Sequence, residues 1–183
     1  MTKTIIKLSV FALLFTSCGM GGSNNAEQQT DSHTEEICET ATFDEGVVIN
    51  GVRWATRNVD APGTFAQSPE DAGGFFTWYD AQNACPRGWR VPTRRELQSL
   101  VDAGSQRATK NDVNGRRFGS GNNSLFLPMA GHRGSAGGRS EGWYWSSSSF
   151  VEGNGCFLWV SGRPNVSPNA SSRIRFTVRC VAK

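Results

Sequence analysis

Few residues in this chain have the types, or the partners, that covalent chemistry needs. A catalytic site requires a positioned nucleophile, base or metal. After residue 42 the chain has one histidine, His132, set in Gly131-His132-Arg133-Gly134. A single loop histidine of this kind reads as a hydrogen-bonding surface residue. Ser146 to Ser149 form a run of four serines, but they lack the Gly-x-Ser-x-Gly setting and the partnered histidine of a hydrolase elbow. Asp112-Val113-Asn114-Gly115 offers oxygen ligands without the carboxylate count of a calcium loop, and it reads as a hairpin turn centred on Asn114-Gly115. His33 and its neighbouring glutamates lie in a polar stretch with nothing to hold metal ligands in place. The expectation is a protein with no catalytic residues, no metal and no cofactor.

What the chain does carry is the composition of a recognition surface, in residues 142–181. Two runs rich in aromatic and β-branched residues, Cys156-Phe157-Leu158-Trp159-Val160 and Phe176-Thr177-Val178-Arg179-Cys180-Val181, bracket segments too polar to form a core. Small polar side chains beside aromatics, held between strands, suit adaptable binding. Alternation along a strand puts Trp143 and Trp145 on one face and Tyr144 on the other. The same rule places Leu158 and Val160 inward and Phe157 and Trp159 toward a ligand, although the opposite register would reverse that assignment. The expected ligand-binding set is Phe150, Glu152, Asn154, Phe157, Trp159, Ser161, Arg163, Asn165, Ser167, Asn169, Ser171 and Arg173. Arg173, Arg175 and Arg179 alternate near the C-terminus, and such a row also reads as a solvated strand edge that discourages aggregation.

The elements that must position this surface begin near Phe43. Val47-Val48-Ile49, Asn50-Gly51 and Val52-Arg53-Trp54 predict a hairpin with a type I′ turn. Residues 60–74 are loop, marked by Pro62-Gly63 and Gly73-Gly74. Residues 77–84 predict a short helix halted by Pro86 and Gly88. Thr93 with Glu96 three residues on is a capping box. It opens a helix whose Leu97, Leu100 and Val101 share one face and which Gly104 ends. Leu125-Phe126-Leu127-Pro128 predicts a short buried strand, and residues 131–142 a Gly- and Ser-rich loop. The sum is an α+β domain over residues 43–183, with two short helices, small antiparallel sheets and much irregular structure. There are no heptads and no short-period repeat.

Residues 1–17 have Lys3 and Lys7 as a basic flank and Leu8 to Phe15 as an apolar core. That core is too short to span a bilayer of about 30 Å. Thr16-Ser17-Cys18-Gly19 resembles a bacterial lipobox, which implies cleavage before Cys18 and acylation at that residue. Several acyl chains hold a soluble domain stably at a membrane. Residues 18–42 are polar and acidic, and read as a flexible tether. Removing residues 1–17 takes away two lysines and no acid, which leaves 17 basic against 16 acidic residues, a balance of +1. That is no electrostatic footprint for nucleic acid. Export would permit disulfides, and Cys38, Cys85, Cys156 and Cys180 allow three pairings.

Several stretches together resemble the Fibrobacter succinogenes major paralogous domain, common among Bacteroidetes lipoproteins. They are Ile49-Asn50-Gly51-Val52-Arg53-Trp54-Ala55-Thr56-Arg57-Asn58-Val59, Ala84-Cys85-Pro86-Arg87-Gly88-Trp89-Arg90-Val91-Pro92-Thr93, Leu127-Pro128-Met129-Ala130-Gly131, Trp145-Ser146-Ser147-Ser148 and Val178-Arg179-Cys180-Val181. The resemblance implies a C-type-lectin-like fold related to the formylglycine-generating-enzyme group, with the two ends of the domain side by side. It also implies a Cys85–Cys180 bridge, which leaves Cys38 and Cys156 either paired together or, with Cys38 on the tether, free. The chain departs from calcium-dependent lectins of that fold in lacking their acidic-amide pair and Trp-Asn-Asp element. It departs from the related enzymes in lacking their reactive cysteine pair. Residues 143–181, with Asn165-Val166-Ser167-Pro168-Asn169, are also similar to the variable regions of proteins diversified by retroelements. The resulting expectation is a lipid-anchored protein of the outer membrane or cell surface that binds a protein or glycan, contacts membrane only through its anchor, and binds no nucleic acid. The alternatives are a structural or fimbrial envelope component and, with less support, an enzyme of the formylglycine-generating type.

Overall fold

The computed structural model describes residues 43–132 and 140–183. The expected signal segment, Cys18, the expected tether with Cys38, and residues 133–139 of the expected glycine-rich loop lie outside the described residues. The hairpin at the start forms as its residues require. Strand β1 (Val47–Ile49) pairs with β2 (Val52–Asn58), and Asn50 and Gly51 hold φ of 49° and 79°, the left-handed pair of a type I′ turn. Just before it, the Asp44 carboxylate accepts hydrogen bonds from the Gly46 amide, the Thr56 amide and hydroxyl, and the Arg57 amide and side chain. Those donors fasten the first described residues to β2.

Two helices follow. In α1 (Trp78–Ala81) the Thr77 hydroxyl caps the Asp80 amide. Its helical turns are shorter than the 77–84 expected, because Pro86 leaves the residues before it to close as single turns. Strand β3 (Trp89–Arg90) leads into α2 (Arg94–Asp102), where Thr93 and Glu96 form both halves of the capping box. The Arg90 guanidinium grips the same carboxylate with bonds of 2.6 and 2.9 Å. Those bonds, with the bonds from Thr93, hold the Glu96 pKa down to about 2 against the penalty of burial. Leu97 and Leu100 are buried as the helical pattern predicts, and Val101 packs beside them.

Two antiparallel meanders complete the unit. Strands β4 (Ser105–Lys110), β5 (Val113–Ser120) and β6 (Asn123–Pro128) form one, and β7 (Gly142–Val151), β8 (Asn154–Val160) and β9 (Asn165–Ser171) the other. The final strand, β10 (Arg179–Ala182), does not extend either meander. It returns to the start of the domain and inserts between β2 and β3, giving the order β1-β2-β10-β3. The result is a small α+β fold of small antiparallel sheets with two short helices, and no helix among the described residues is long and apolar enough to cross a membrane.

Two expectations are corrected here. The β4–β5 turn is made by Asn111 and Asp112, at φ 45° and 60°, while Asn114 and Gly115 lie inside β5. Gly115 is needed for a different reason. A Cβ there would lie 2.5 Å from the Phe126 ring and 2.5 Å from the Leu127 carbonyl, so the glycine makes room for a neighbour and not for a turn. The row Arg173, Arg175 and Arg179 is not one solvated edge either. Arg173 and Arg175 are exposed ahead of the strand, whereas Arg179 is fully buried in β10, at the centre of its sheet.

Packing falls into two clusters that meet across β7, β8 and β10. Trp54, Leu97, Leu100, Phe118, Leu125, Leu127, Tyr144, Leu158 and Val181 belong to the first. Val59, Phe65, Phe76, Trp145, Phe176, Val178 and Cys180 belong to the second. Cys85, just after α1, is bonded to Cys180 in β10 with a Cα–Cα separation of 6.0 Å. The bond closes a loop with a sequence separation of 95 residues, worth about 4–5 kcal/mol of unfolded-state entropy in the chain-entropy model.

Two outcomes are expected. Replacing Cys85 and Cys180 together with Ala should lower the denaturant midpoint by several kcal/mol equivalent, up to about 4–5, and a loss below ~1 kcal/mol would remove the staple from the account. Glu96 is ordinarily protonated near 4.5 but near 2 when folded. The unfolded chain therefore takes up the proton first as pH falls, and this contribution to stability, complete above pH 4.5, is lost on descending through about 2. Glu96→Gln should flatten the stability profile across that window, as read by thermal melts at stepped pH.

Candidate recognition surface

The serine run builds the most irregular part of β7. Pairing with β8 is regular from Gly142 to Trp145 and resumes only at Ser149, opposite Gly155. Between them the Ser146 hydroxyl donates to the Ser148 carbonyl and accepts from the Ser148 amide. A local hydroxyl thus takes over bonds the ladder would have made, and the strand bulges. The Ser147 amide donates to the Pro92 carbonyl at 2.7 Å, and the Arg94 amide to the Ser148 hydroxyl at 3.0 Å. The bulge is thereby fixed to the entry of α2. Trp78 braces the other strand. Its Nε1 donates to the Ser146 carbonyl, and its ring covers Gly155 so closely that a Cβ there would come within 2.2 Å.

Beyond this brace the β7–β8 hairpin runs out into solvent. Phe150 is 62% exposed and Val151 49%, with Glu152 and Gly153 at the turn. The segment after β9 is tied to the same end. The Ser172 amide donates to the Gly153 carbonyl and the Trp78 amide to the Ser172 carbonyl, both at 2.9 Å. Tyr79, which follows Trp78, is 60% exposed, and Ile174 is 40% exposed. Asn154 donates to the Asn169 side chain at 2.7 Å across the strands. One end of the β7–β9 sheet therefore gathers Phe150, Val151, Glu152, Asn154, Asn169, Ser171 and Arg173, with Tyr79 and Ile174 alongside. Tyr79 and Ile174 are outside the set read from sequence, and Val151 lies between two of its members. An apolar pair beside a Glu-Gly turn was the signal for Val151; nothing local marked the other two.

The remaining expected residues are placed elsewhere. β8 carries seven residues, about 20 Å of strand, so Trp159, Arg163 and Asn165 stand at the opposite end from the hairpin tip. Trp159 is half-buried opposite Trp143 and Asn165, and its indole N–H is buried without a hydrogen-bond partner among the described residues. Ser161 is buried; its hydroxyl donates to the Arg163 carbonyl, and its own carbonyl accepts from Arg116. It braces the loop and presents no side chain outward. Phe157 and Ser167 sit opposite each other in the middle of the sheet. Leu158 and Val160 point inward and are fully buried. Phe157 is not free on the other face, since its ring centroid lies 5.1 Å from Phe176 and 6.4 Å from Trp145. The expected outward face of β8 is, at Phe157, the wall of the second core, and Trp159 is half-buried.

Other groups with chemical potential are similarly committed. His132 stands edge-on to Trp143 at 4.8 Å. Cys156 is a free, buried thiol donating to the Pro168 carbonyl at 3.7 Å. Burial pushes its pKa up while the nearby Arg94 charge pulls against it, so it resembles a structural thiol more than a nucleophile. Among the described residues no three of His, Cys, Asp and Glu converge as metal ligands. No family model, curated protein or solved structure matches the chain.

Because Phe157 is half-buried against two aromatic rings, Phe157→Ala should cost roughly 2 kcal/mol, below the ~3–5 of a fully buried phenylalanine. Urea titration reads this directly. A cost under ~0.5 kcal/mol would mean that the ring is a surface group after all.

Proposed function

We propose that this chain is a non-catalytic binding protein of the bacterial cell envelope, lipid-anchored at Cys18, whose single domain is C-type-lectin-like and of the Fibrobacter succinogenes major paralogous type. The fold reading is supported by the return of β10 beside β2, which puts the two ends of the domain side by side, and by the Cys85–Cys180 bond. The binding reading rests on one observation. Phe150, Val151, Tyr79 and Ile174 are exposed at one end of a braced sheet, among the amides and hydroxyls of Asn154, Asn169 and Ser171 and the guanidinium of Arg173. Exposed aromatic area beside adaptable polar groups on a fixed framework is what a paratope-like surface uses. A protein or a glycan is the ligand class this composition suits. Asn165, Asn169, Ser171 and Arg173 are exposed, so their substitution leaves the packing intact, as a retroelement-diversified region requires.

The test is capture by the immobilised full-length chain on arrays of glycans and envelope proteins. Phe150→Ser combined with Arg173→Ala should reduce capture at least tenfold, since hot-spot aromatic and arginine contacts are each worth about 2 kcal/mol or more. The melting temperature should move little, because exposed substitutions usually change stability by under ~0.5 kcal/mol. Capture that survives the double substitution would rule out this end of the sheet as the binding surface.

A further inference from the structure

Between α2 and β7 lies an open cleft of about 610 Å³, lined by Thr93, Arg94, Arg95, Gln98 and Ser148. Its floor is where the β7 bulge is fixed to α2, and Phe150 stands two residues beyond Ser148, about 7 Å along the strand. Arg94 and Arg95 are both exposed, and among the described residues no carboxylate comes within ion-pairing distance of either.

The two acids on the same helix are engaged elsewhere, and Glu152 at the hairpin turn forms no ion pair with either arginine. Glu96 is held by two nitrogens of Arg90 and by the amide and hydroxyl of Thr93. Asp102, further along the helix, takes the Gln98 amide nitrogen at 2.9 Å. The Thr93 hydroxyl is used twice within the capping box, so the end of the helix is closed by its own residues. Ser148 accepts from the Arg94 amide, which leaves its hydroxyl proton to donate outward. Two guanidinium forks and a hydroxyl donor remain, with the Gln98 side-chain oxygen as the uncommitted acceptor. Such a lining selects an anionic ligand, and guanidinium forks match carboxylates in particular.

Charge on the wider domain agrees. Residues 43–183 hold 17 basic and 11 acidic residues, an excess of +6. The balance of +1 over residues 18–183 hides this excess, because five acids and no Lys or Arg fall within residues 19–42.

We infer that the cleft is the specificity subsite of the proposed recognition surface, with Arg94 and Arg95 binding carboxylates of an acidic peptide whose apolar side chains pack on Phe150 and Val151. The inference rests on the binding reading given above. A peptide fits better than an acidic sugar because carboxylates and aliphatic groups must alternate within about 10 Å.

The experiment is fluorescence anisotropy on the full-length protein with a labelled eight-residue peptide alternating glutamate and leucine. Its glutamine analogue, polygalacturonate and a single-stranded DNA 12-mer serve as competitors. The glutamate peptide should bind, and it should bind more weakly as salt rises from about 50 to 300 mM. Arg94→Gln with Arg95→Gln should weaken binding at least about tenfold, and the Lys pair should restore part of it, with all variants checked for an unchanged thermal midpoint. Peptide binding that is absent, indifferent to the Gln pair, or matched by the glutamine analogue overturns the inference. Equal or better competition by polygalacturonate or DNA overturns the choice of a peptide. If array capture still depends on Phe150 and Arg173 while the Gln pair changes nothing, the binding reading stands and this subsite falls. If capture is also indifferent to Phe150 and Arg173, the binding reading itself fails.

Discussion

The guanidinium of Arg179 must be satisfied without a carboxylate, and the rest of the domain is arranged around that requirement. It is fully buried in the central strand β10, where it donates to the Asn58 side chain at 2.8 Å, the Ala55 carbonyl at 3.2 Å and the Pro69 carbonyl at 3.5 Å. Burial draws its pKa down to about 10, with Tyr144 and Asp44 pulling the other way, so it stays charged at neutral pH. A buried cation stripped of these acceptors would cost several kcal/mol. Its partners come from β2 and from the long loop after it, and Asn58 in turn donates to the Asp71 and Ala72 carbonyls. One side chain thus ties the last strand, the second strand and the loop after it into one arrangement. Cys180, the next residue, adds the covalent tie to Cys85.

This arrangement gives the two hydrophobic clusters a shared partition. Val181 faces the first and Cys180 the second, while in β7 Tyr144 faces the first and Trp145 the second. The Trp145 indole donates to the Phe76 carbonyl and the Tyr144 hydroxyl to the Pro128 carbonyl, so both large side chains are buried with their polar atoms satisfied. Strands packed on both faces leave little freedom along the middle of the sheet. Freedom returns only past the Trp78 brace, where the β7–β8 hairpin has neither cluster beneath it. The separation of a two-sided framework from a one-ended projection is what makes exposed aromatics tolerable there.

How much of this could be read from sequence depended on the range of the determining contact. Asn50-Gly51 and the Thr93/Glu96 box set their own local geometry, and both formed as expected. Leu97 and Leu100 were legible as core because helical periodicity gathers them on one apolar stripe, while alternation gave Leu158 and Val160 a shared face without deciding which face is buried. Asn114-Gly115 misled because a glycine serves either a turn or a close approach, and only Phe126, brought in by β6, decides between them. Arg179 could not be told from an edge arginine, since its acceptors lie more than a hundred residues earlier. Phe157 and Trp159 do lie across the strand from the buried Leu158 and Val160, but Phe157 is covered by the second cluster, assembled from Phe76 and Phe176, which no local pattern connects. Phe150, Asn154, Asn169, Ser171 and Arg173, named from sequence, lie at one end of the β7–β9 sheet, whereas Tyr79, Arg94 and Arg95 come near that sheet only through the packing of helices on it.

The claim that ties these parts together is energetic: a framework closed by β10 carries a projecting hairpin whose order is separate from its own. Native-state hydrogen exchange of the full-length oxidised chain measures that separation amide by amide. The account predicts that the amides of Val59, Trp145 and Phe176, whose bonds involve residues 176–178 just before β10, exchange slowest and share one opening free energy. It predicts that those of Val151, Glu152 and Arg173 exchange through smaller, independent openings. Exchange of the hairpin amides in concert with the framework, at the same free energy, would contradict it.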